Sequence, residues 1–301
     1  MTRKKNNVNG IIIVDKPKNI TSNKLLQKIK YIFNAKKAGH TGSLDPITTG
    51  TLPICFGEAT KVSKYLIESS KTYHVVAKLG EKTNTGDSDG MVTDKKIFNQ
   101  TSKEHCESIF KSFIGETKQT PPMFSAIKIH GIRLYKHARK GLVIPRKKRT
   151  IMIHNIQLKK LSFDSIELII HCGKGTYIRS LIEDIATKLG TLAHVTQLRR
   201  TSIDIIKDHE LITLESLESE QNYNRLIEKY LLPIDIAIES FPKLSISLTE
   251  SINFKQGQRI KFALNRNLNI GKVRVYDSND SLIGLGVTDN EGNVQPMRIF
   301  N

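Results

Sequence analysis

The chain has 301 residues, 38% of them hydrophobic, which suits one large domain with a real core plus a smaller one. Lys and Arg number 47 against 29 Asp and Glu, a net charge of +18 that points to a polyanionic partner through counterion release and steering. The plain alternative is a generally basic proteome, since Lys, Asn and Ile are abundant throughout. Cys55, Cys106 and Cys172 are odd in number and scattered, with no C-x-x-C, which argues against a disulfide framework or structural zinc and for a reducing cytosol. No apolar run approaches a membrane span. The start, Met1 to Asn7, is basic without an apolar core region, so it reads as a loose arm that touches RNA rather than a signal peptide.

Gly10 to Val14 reads as a buried strand and Asp15 to Asn19 as a turn. Thr21 or Ser22 can cap a helix over about residues 22–34, with Leu25, Leu26, Ile29, Ile32 and Phe33 on its apolar face. A Gly- and Thr-rich loop follows, then a short apolar strand, Leu52 to Phe56. Gly57 to Glu68 reads as a helix with Val62, Tyr65 and Leu66 on one face, and Lys71 to Gly80 as a strand. Thr83 to Gly90 is a polar loop. It looks superficially like a calcium loop, but the acidic spacing and the closing glutamate are missing. Thr101 with Glu104 predicts a capping box before a helix ending at Gly115.

Gln119 to Gly131 is a proline-punctuated entry to a strand. Arg133 to Arg149 is densely basic, with Arg133, Lys136, Arg139, Lys140 and the run Arg146, Lys147, Lys148, Arg149. A charge run is often only a solvated face. Here Tyr135 and His137 are interleaved and Gly131, Gly141 and Pro145 bracket it, which reads as a mobile basic arm for nucleic acid. Strands are expected at Ile151–Leu158 and Ser165–His171. Gly173 to Ser180 leads into a helix closing at Gly190; it lacks the Walker spacing, so nucleotide hydrolysis is not expected. Thr191 to Asp204 reads as strand, and the acidic stretch Glu210–Glu220 as a short helix away from any nucleic acid. A boundary is expected near Glu239–Lys243, followed by short alternating runs with turn signals, among them Phe254 to Gln258, which predict a small β domain.

The densest chemistry lies in Gly39 to Ile54. Pro46 pushes Asp45 toward an extended conformation. The result is a shaped loop presenting one carboxylate, ionised at neutral pH if its pKa is near the ordinary 3.9 or so. A carboxylate can ligate a metal, act as a base or attack an electrophilic carbon. The loop offers only His40 as a second ligand, so a metal centre is not expected. From the residues alone, a turn aspartate that bonds backbone amides fits Asp45 better than any of these.

These motifs together resemble the TruB family of tRNA pseudouridine synthases, in that family's order, over residues 9 to about 203. Asp15-Lys-Pro-x-x-x-Thr-Ser22, Gly39 through Pro46, Lys71-Thr-Tyr73, Gln119 to Ala126, Arg133-Leu-Tyr135, Gly173 to Arg179 and Leu198-Arg-Arg200 carry the likeness. The tail resembles a PUA-type RNA-binding domain. The resemblance implies an α+β fold: a mixed, mainly antiparallel sheet flanked by helices, with a small C-terminal β domain. It implies a catalytic domain at residues 1–240 with an RNA-binding thumb at about 119–150, and the PUA-like domain at 241–301. The implied activity is isomerisation of uridine 55 in the T-arm of tRNA, without cofactor or metal. Asp45 matches the catalytic aspartate, Tyr73 the tyrosine that stacks on the target base, and Arg179 the arginine that pairs with the aspartate and reaches the RNA backbone. Tyr177 and Leu198 match pocket-lining residues, His40 a histidine that places flipped nucleotides, and Lys16 and Pro17 supports of the active-site loop.

Three residues depart from the family pattern: Asn19 stands for a glycine, Phe124 for a tyrosine and Asn84 for an aspartate. Asparagine tolerates positive φ, so the turn at Asn19 is expected to survive. Two other readings stay open, a tRNA-folding chaperone and a guide-RNA-dependent synthase. The basic thumb and the resemblance to the stand-alone form argue against guide dependence; the expected partner is tRNA, with no guide RNA and no membrane, and the expected state is a cytoplasmic monomer.

Overall fold

The computed structural model describes residues 4–206, 209–220, 222–261 and 270–300. Met1 to Arg3 of the expected loose arm lie outside them. From Lys4 the arm is docked rather than loose: Asn6 bridges to Ala35, and the Asn34 side chain donates to the Lys4 carbonyl at 2.8 Å.

Strand β1 (Gly10–Lys16) is apolar on both faces because both are covered. Ile12 and Val14 join one core, Ile11 and Ile13 a second. Helix α1 (Ser22–Ile32) is capped by Thr21, whose hydroxyl accepts from the Lys24 amide at 3.1 Å. Ser22 turns inward. The expected turn is tight, with Asn19 at φ 64°, the left-handed conformation that asparagine adopts most easily after glycine. Strand β2 (Ala38–His40) and strand β3 (Thr49–Phe56) flank the Asp45 loop. The single helix expected over Gly57–Glu68 is divided into a 3-10 turn, Gly57–Lys61, and helix α2 (Ser63–Glu68). Gly57 sits at φ 50° and Asn9 takes up the Glu58 amide at 2.9 Å, which fixes a turn there.

Strand β4 (Lys71–Leu79) alternates buried and half-buried residues, the pattern of a sheet covered on one face. The polar loop after it is the head of a small hairpin, β5 (Glu81–Thr83) and β6 (Val92–Lys95), closed by Asn84, whose side chain accepts from the Met91 amide at 3.0 Å. Helix α3 (Lys103–Lys111) differs from expectation at both ends. Its cap is Ser102, not Thr101, and Gly115, at φ 100°, opens strand β7 (Gly115–Gln119) instead of closing the helix. The basic arm holds two-residue strands β8 (Lys128–Ile129) and β9 (Ile132–Arg133) and one helical turn, α4 (Leu134–Ala138). His130 and Gly131 join the strands with φ of 49° and 78°, the two left-handed residues that a tight hairpin turn requires.

Strands β10 (Arg149–Leu161) and β11 (Ser165–Cys172), helix α5 (Ile178–Lys188) and strand β12 (Ala193–Ile203) follow the expected order. Strand β13 (Ile212–Thr213) leads into helices α6 (Leu214–Ser219) and α7 (Tyr223–Tyr230). Nine strands among the described residues form the main sheet, in the order β13-β1-β3-β12-β4-β11-β10-β7, with β2 also on β3. Only β1–β13 and β3–β12 are parallel, so the sheet is mixed and mainly antiparallel. Beyond it lies a five-stranded sheet, β14 (Lys243–Ser245), β15 (Ile260–Lys261), β16 (Lys272–Tyr276), β17 (Leu282–Thr288) and β18 (Asn293–Ile299), in the order β14-β16-β17-β18-β15. Helix α8 (Leu248–Lys255) packs on it through Phe254. The run at Phe254, expected as strand, is thus the end of a helix started by a Ser247–Glu250 capping box. Leu285 and Phe300 join Ile11 and Ile13 in one apolar cluster, which docks this unit on the back of the main sheet.

Candidate active site

The Asp45 loop runs from β2 to β3. Asp45 and Pro46 occupy the first two positions of a turn closed by Thr48 N–H to the Asp45 carbonyl at 3.0 Å, where proline's fixed φ favours the bend. Four separate elements then hold the loop. Ser22, at the start of α1, donates to the Leu44 carbonyl at 3.0 Å and accepts from the Leu44 amide at 2.8 Å. Lys16, at the end of β1, is fully buried and donates to the carbonyls of Pro17 at 2.9 Å and Pro46 at 3.3 Å. Arg200 of β12, also buried, donates to the Thr51 carbonyl at 2.7 Å and the Gly42 carbonyl at 3.0 Å.

The fourth tie is Arg179, near the start of α5. Its Nη2 lies 2.9 Å from Asp45 Oδ2, and its Nη1 lies 3.4 Å from Asp87 Oδ2. The same guanidinium donates to the carbonyls of Thr85 and, at 2.7 Å, Phe124. Arg179 is 4% exposed, so its own guanidinium sits in a desolvated place where a lost partner is costly. One side chain therefore joins the Asp45 loop, the Thr83–Gly90 loop and the root of the basic arm.

Burial pushes the Asp45 carboxyl above the usual carboxylate range. Arg179 pulls it back, Asp87 pushes it further up, and Lys16 also lowers it. The side chain keeps 43% of its surface open, so the upward push is that of a crowded cleft rather than a closed interior. An approaching substrate atom can therefore reach it. Burial brings Lys16 down to about 8, against an opposing pull from Asp45. His40, at the end of β2, is half-buried. Its Nδ1 has no hydrogen-bond partner, and burial followed by the Arg200 charge lowers its pKa, which favours the neutral ring.

Tyr73 and Leu198 face the loop from the sheet. In the β4–β12 register Tyr73 lies opposite Arg200, and Val75 opposite Leu198. Both belong to the main core with Leu44, at 9% and 7% exposure. Burial raises the Tyr73 pKa, Arg200 lowers it, and Asp45 is close enough to raise it again. Tyr177 caps α5, with Gln119 bonding both its amide and its carbonyl at 2.9 and 3.1 Å. Pro17 is exposed and contributes its carbonyl to Lys16. Asp45, His40, Tyr73, Tyr177, Arg179, Leu198, Lys16 and Pro17 thus gather around one cleft.

The basic arm is divided. Arg133, Lys136, Arg139, Lys147, Lys148 and Arg149 are exposed, whereas Arg146 turns inward and donates to the Pro121 carbonyl at 3.0 Å. Two polar residues of the site went unnamed in the sequence. Arg200 stands within the Leu198-Arg-Arg200 motif without a role of its own. Its signal was an arginine on the apolar face of a buried strand. Asp87 was hidden in a loop weighed only for calcium.

The fold has solved counterparts. A structure described as a Cbf5-Nop10-Gar1 complex superposes with a TM-score of 0.71 at 26% identity, covering 97% of this chain and 85% of that one. An H/ACA RNP bound to a substrate RNA containing 2'-deoxyuridine gives 0.70 at 25% identity, with 97% and 85% covered. The class is therefore the pseudouridine-synthase fold with a PUA-like C-terminal domain. The family described as TruB family pseudouridylate synthase (N terminal domain) matches residues 30–178, tRNA pseudouridylate synthase B C-terminal domain matches 179–239, and Pseudouridine synthase II TruB, C-terminal, matches 242–300. Proteins named tRNA pseudouridine synthase B are 44% identical in Buchnera aphidicola subsp. Schizaphis graminum, over 99% of this chain and 97% of that one, and 41% identical in Enterobacter sp. (strain 638), over 99% and 96%. The chain belongs to the TruB family.

Proposed function

We propose that this chain converts uridine 55 in the T-arm loop of tRNA to pseudouridine, with Asp45 as the nucleophile. The observation that carries this is the Asp45 carboxylate, ion-paired to Arg179 at 2.9 Å in a loop held from four elements, yet open on one side. A nucleophile that must meet one carbon needs such positioning. The target base is first drawn out of the folded loop into the cleft. Tyr73 then stacks on the uracil, an interaction worth about 1–3 kcal/mol, while Tyr177 and Leu198 line the pocket. His40 places neighbouring nucleotides as a neutral ring.

Asp45 attacks carbon, either of the base or of the ribose at C1′. The C1′–N1 bond breaks, the uracil turns in place, and a C1′–C5 bond forms. The proton displaced from C5 is balanced by one gained at N1, and the carboxylate leaves unchanged. No atoms are gained or lost, so the isomerisation calls for no co-substrate. Arg179 favours the ionised form of Asp45 and, by the family likeness, reaches the RNA backbone, a dual use that suits the guanidinium fork. We assign residues 1–240 to catalysis, about 119–150 within them to a thumb that closes on RNA, and 241–301 to a PUA-like RNA-binding unit. The enzyme acts on tRNA without a guide RNA, as a cytoplasmic monomer.

The test uses purified protein and an unmodified tRNA transcript with no other factor, and maps pseudouridine chemically. Modification at the T-loop uridine is expected. Asp45→Asn should lose on the order of 10⁴-fold or more in rate, the scale for removing a nucleophile, with tRNA binding largely kept. Modification that persists in Asp45→Asn would remove that residue from its role. Tight binding with no modification by the wild type would leave a tRNA-folding protein.

A further inference from the structure

The net charge of the chain is concentrated in two places. Residues 119–150 hold nine Lys and Arg and no acid. Residues 1–44 hold ten Lys and Arg and a single acid, Asp15. Each tract is +9, so together they account for the whole +18 and the rest of the chain is neutral. The one acid of the first tract is engaged elsewhere, by a two-pronged pair with Arg199 at 2.9 and 2.7 Å. A generally basic composition would spread the excess evenly, and this chain does not.

The fold gathers much of the first tract at one spot. Asn6 bridges to Ala35, the Lys36 amide donates to the Asn6 carbonyl at 3.0 Å, and Asn34 holds the Lys4 carbonyl. Lys4, Lys5, Lys30, Lys36 and Lys37 therefore meet at the C-terminal end of α1. None of them forms an ion pair with a described carboxylate. Beside them Tyr31 is 86% exposed, an aromatic face in a field of lysines. A cation in the last helical turn complements the helix dipole, which accounts for Lys30 and not for the other four. Lys28, paired with Glu218 of α6 at 3.0 Å, marks where the patch ends.

The patch stands in a definite relation to the cleft. Ser22 ties one end of α1 to Leu44, next to Asp45, and the helix's 11 residues carry its other end about 16 Å away. The thumb is rooted on β10 and β7, four and five strand steps from β3, or about 19–24 Å across the sheet. Helix α1 packs beside β2 and α6, toward the β13 end of the main sheet, so the two basic tracts lie toward opposite ends of the sheet that carries the cleft.

We propose that the C-terminal end of α1, with the docked N-terminal arm, is a second phosphate-binding tract that grips the substrate tRNA backbone on the flank opposite the thumb. This rests on the reading of the chain as a tRNA-modifying enzyme. Lysines act as point charges for phosphate, and Tyr31 gives a sugar or base a surface to rest on.

The test is binding of an unmodified tRNA transcript to the full chain as a function of salt. The triple variant Lys30→Ala, Lys36→Ala, Lys37→Ala should bind about 10-fold more weakly at moderate salt, with a log–log salt slope shallower by about 2–3. Its single-turnover rate at saturating tRNA should stay at the wild-type value, and Lys36→Arg with Lys37→Arg should bind normally. Combining the triple variant with thumb neutralisation should add in log Kd, as independent sites do. Unchanged affinity and slope would overturn the proposal. So would weaker binding with an unchanged slope, or no further loss on top of the thumb variant. Because binding is measured by itself, wild-type protein that binds tRNA but makes no pseudouridine would sink the catalytic reading and leave this one standing.

Discussion

The Asp45 loop and the basic arm are both irregular segments, and they are held in opposite ways. The loop is tied by Ser22, Lys16, Arg200 and Arg179, all four of which are 4% exposed or less. The arm between Lys128 and Lys148 has two-residue strands, one helical turn and a single fully buried apolar residue, Leu134. Leu142 and Val143 are 50% and 78% exposed. A bond-making carboxylate must be held to within about half an ångström, which requires buried polar ties. A clasp that opens to admit RNA belongs at the low-stability end of the molecule. The two regions meet at one side chain, since Arg179 bonds both Asp45 and the Phe124 carbonyl at the arm's root.

Removing that shared tie should have the largest effect after loss of Asp45 itself. Arg179→Gln is expected to cut the single-turnover rate by about 10²–10³-fold, the range for losing one fixed electrostatic partner in an active site. The pH profile separates its two jobs. Asp45 is already raised by burial, and Arg179 lowers it. Without the arginine the carboxyl takes up its proton at higher pH, so the acid limb of the rate should move upward. Asp87 raises Asp45, so Asp87→Asn should move the same limb downward. Rate–pH profiles at constant ionic strength decide this, and limbs that shift in the same direction would break the assignment.

Arg200→Met tests whether the loop's rigidity depends on a buried tie. It leaves the Thr51 and Gly42 carbonyls without their donor, at roughly 1–3 kcal/mol each. Denaturant unfolding should show a loss of about 2–4 kcal/mol. The same assay on Lys147→Ala in the arm should change by no more than about 0.5 kcal/mol. Equal losses would erase the contrast between the two regions.

The sequence made the main sheet legible because its strands carry strong apolar patterns. The buried runs at Gly10–Val14 and Lys71–Leu79 needed no outside information. Asp45 was different. A turn aspartate and a nucleophile look alike until Arg179, some 130 positions away, is known to touch it. What stayed hidden has a common cause. Arg200 and Asp87 act through contacts that the fold creates, and no local spacing announces them. The β5–β6 hairpin rests on the Asn84 side chain rather than on a turn dipeptide, and α8 was masked by the glycine that ends it. Of the three residues expected to depart from the family pattern, Asn19 keeps its turn at φ 64°, Asn84 closes the hairpin, and Phe124 meets Arg179 through its backbone carbonyl.

The smallest expected effect concerns Arg146, and it sharpens the division inside the arm. Four consecutive cations from Arg146 to Arg149 look equivalent in sequence, but only three face outward. The guanidinium of Arg146 bonds the Pro121 carbonyl at 3.0 Å and is among the cations that draw the half-buried Glu183 back down from its raised pKa. Arg146→Ala should therefore leave the salt slope of tRNA binding unchanged, weaken binding only about 2–3-fold through a looser arm, and speed proteolytic nicking between residues 128 and 148. Neutralising Lys147, Lys148 and Arg149 should do the reverse. The salt slope flattens by about 2–3, while nicking and thermal unfolding stay as in the wild type. If Arg146→Ala flattens the slope as much as each outward cation does, that side chain swings out to phosphate in the complex, and the inward bond belongs only to the free protein.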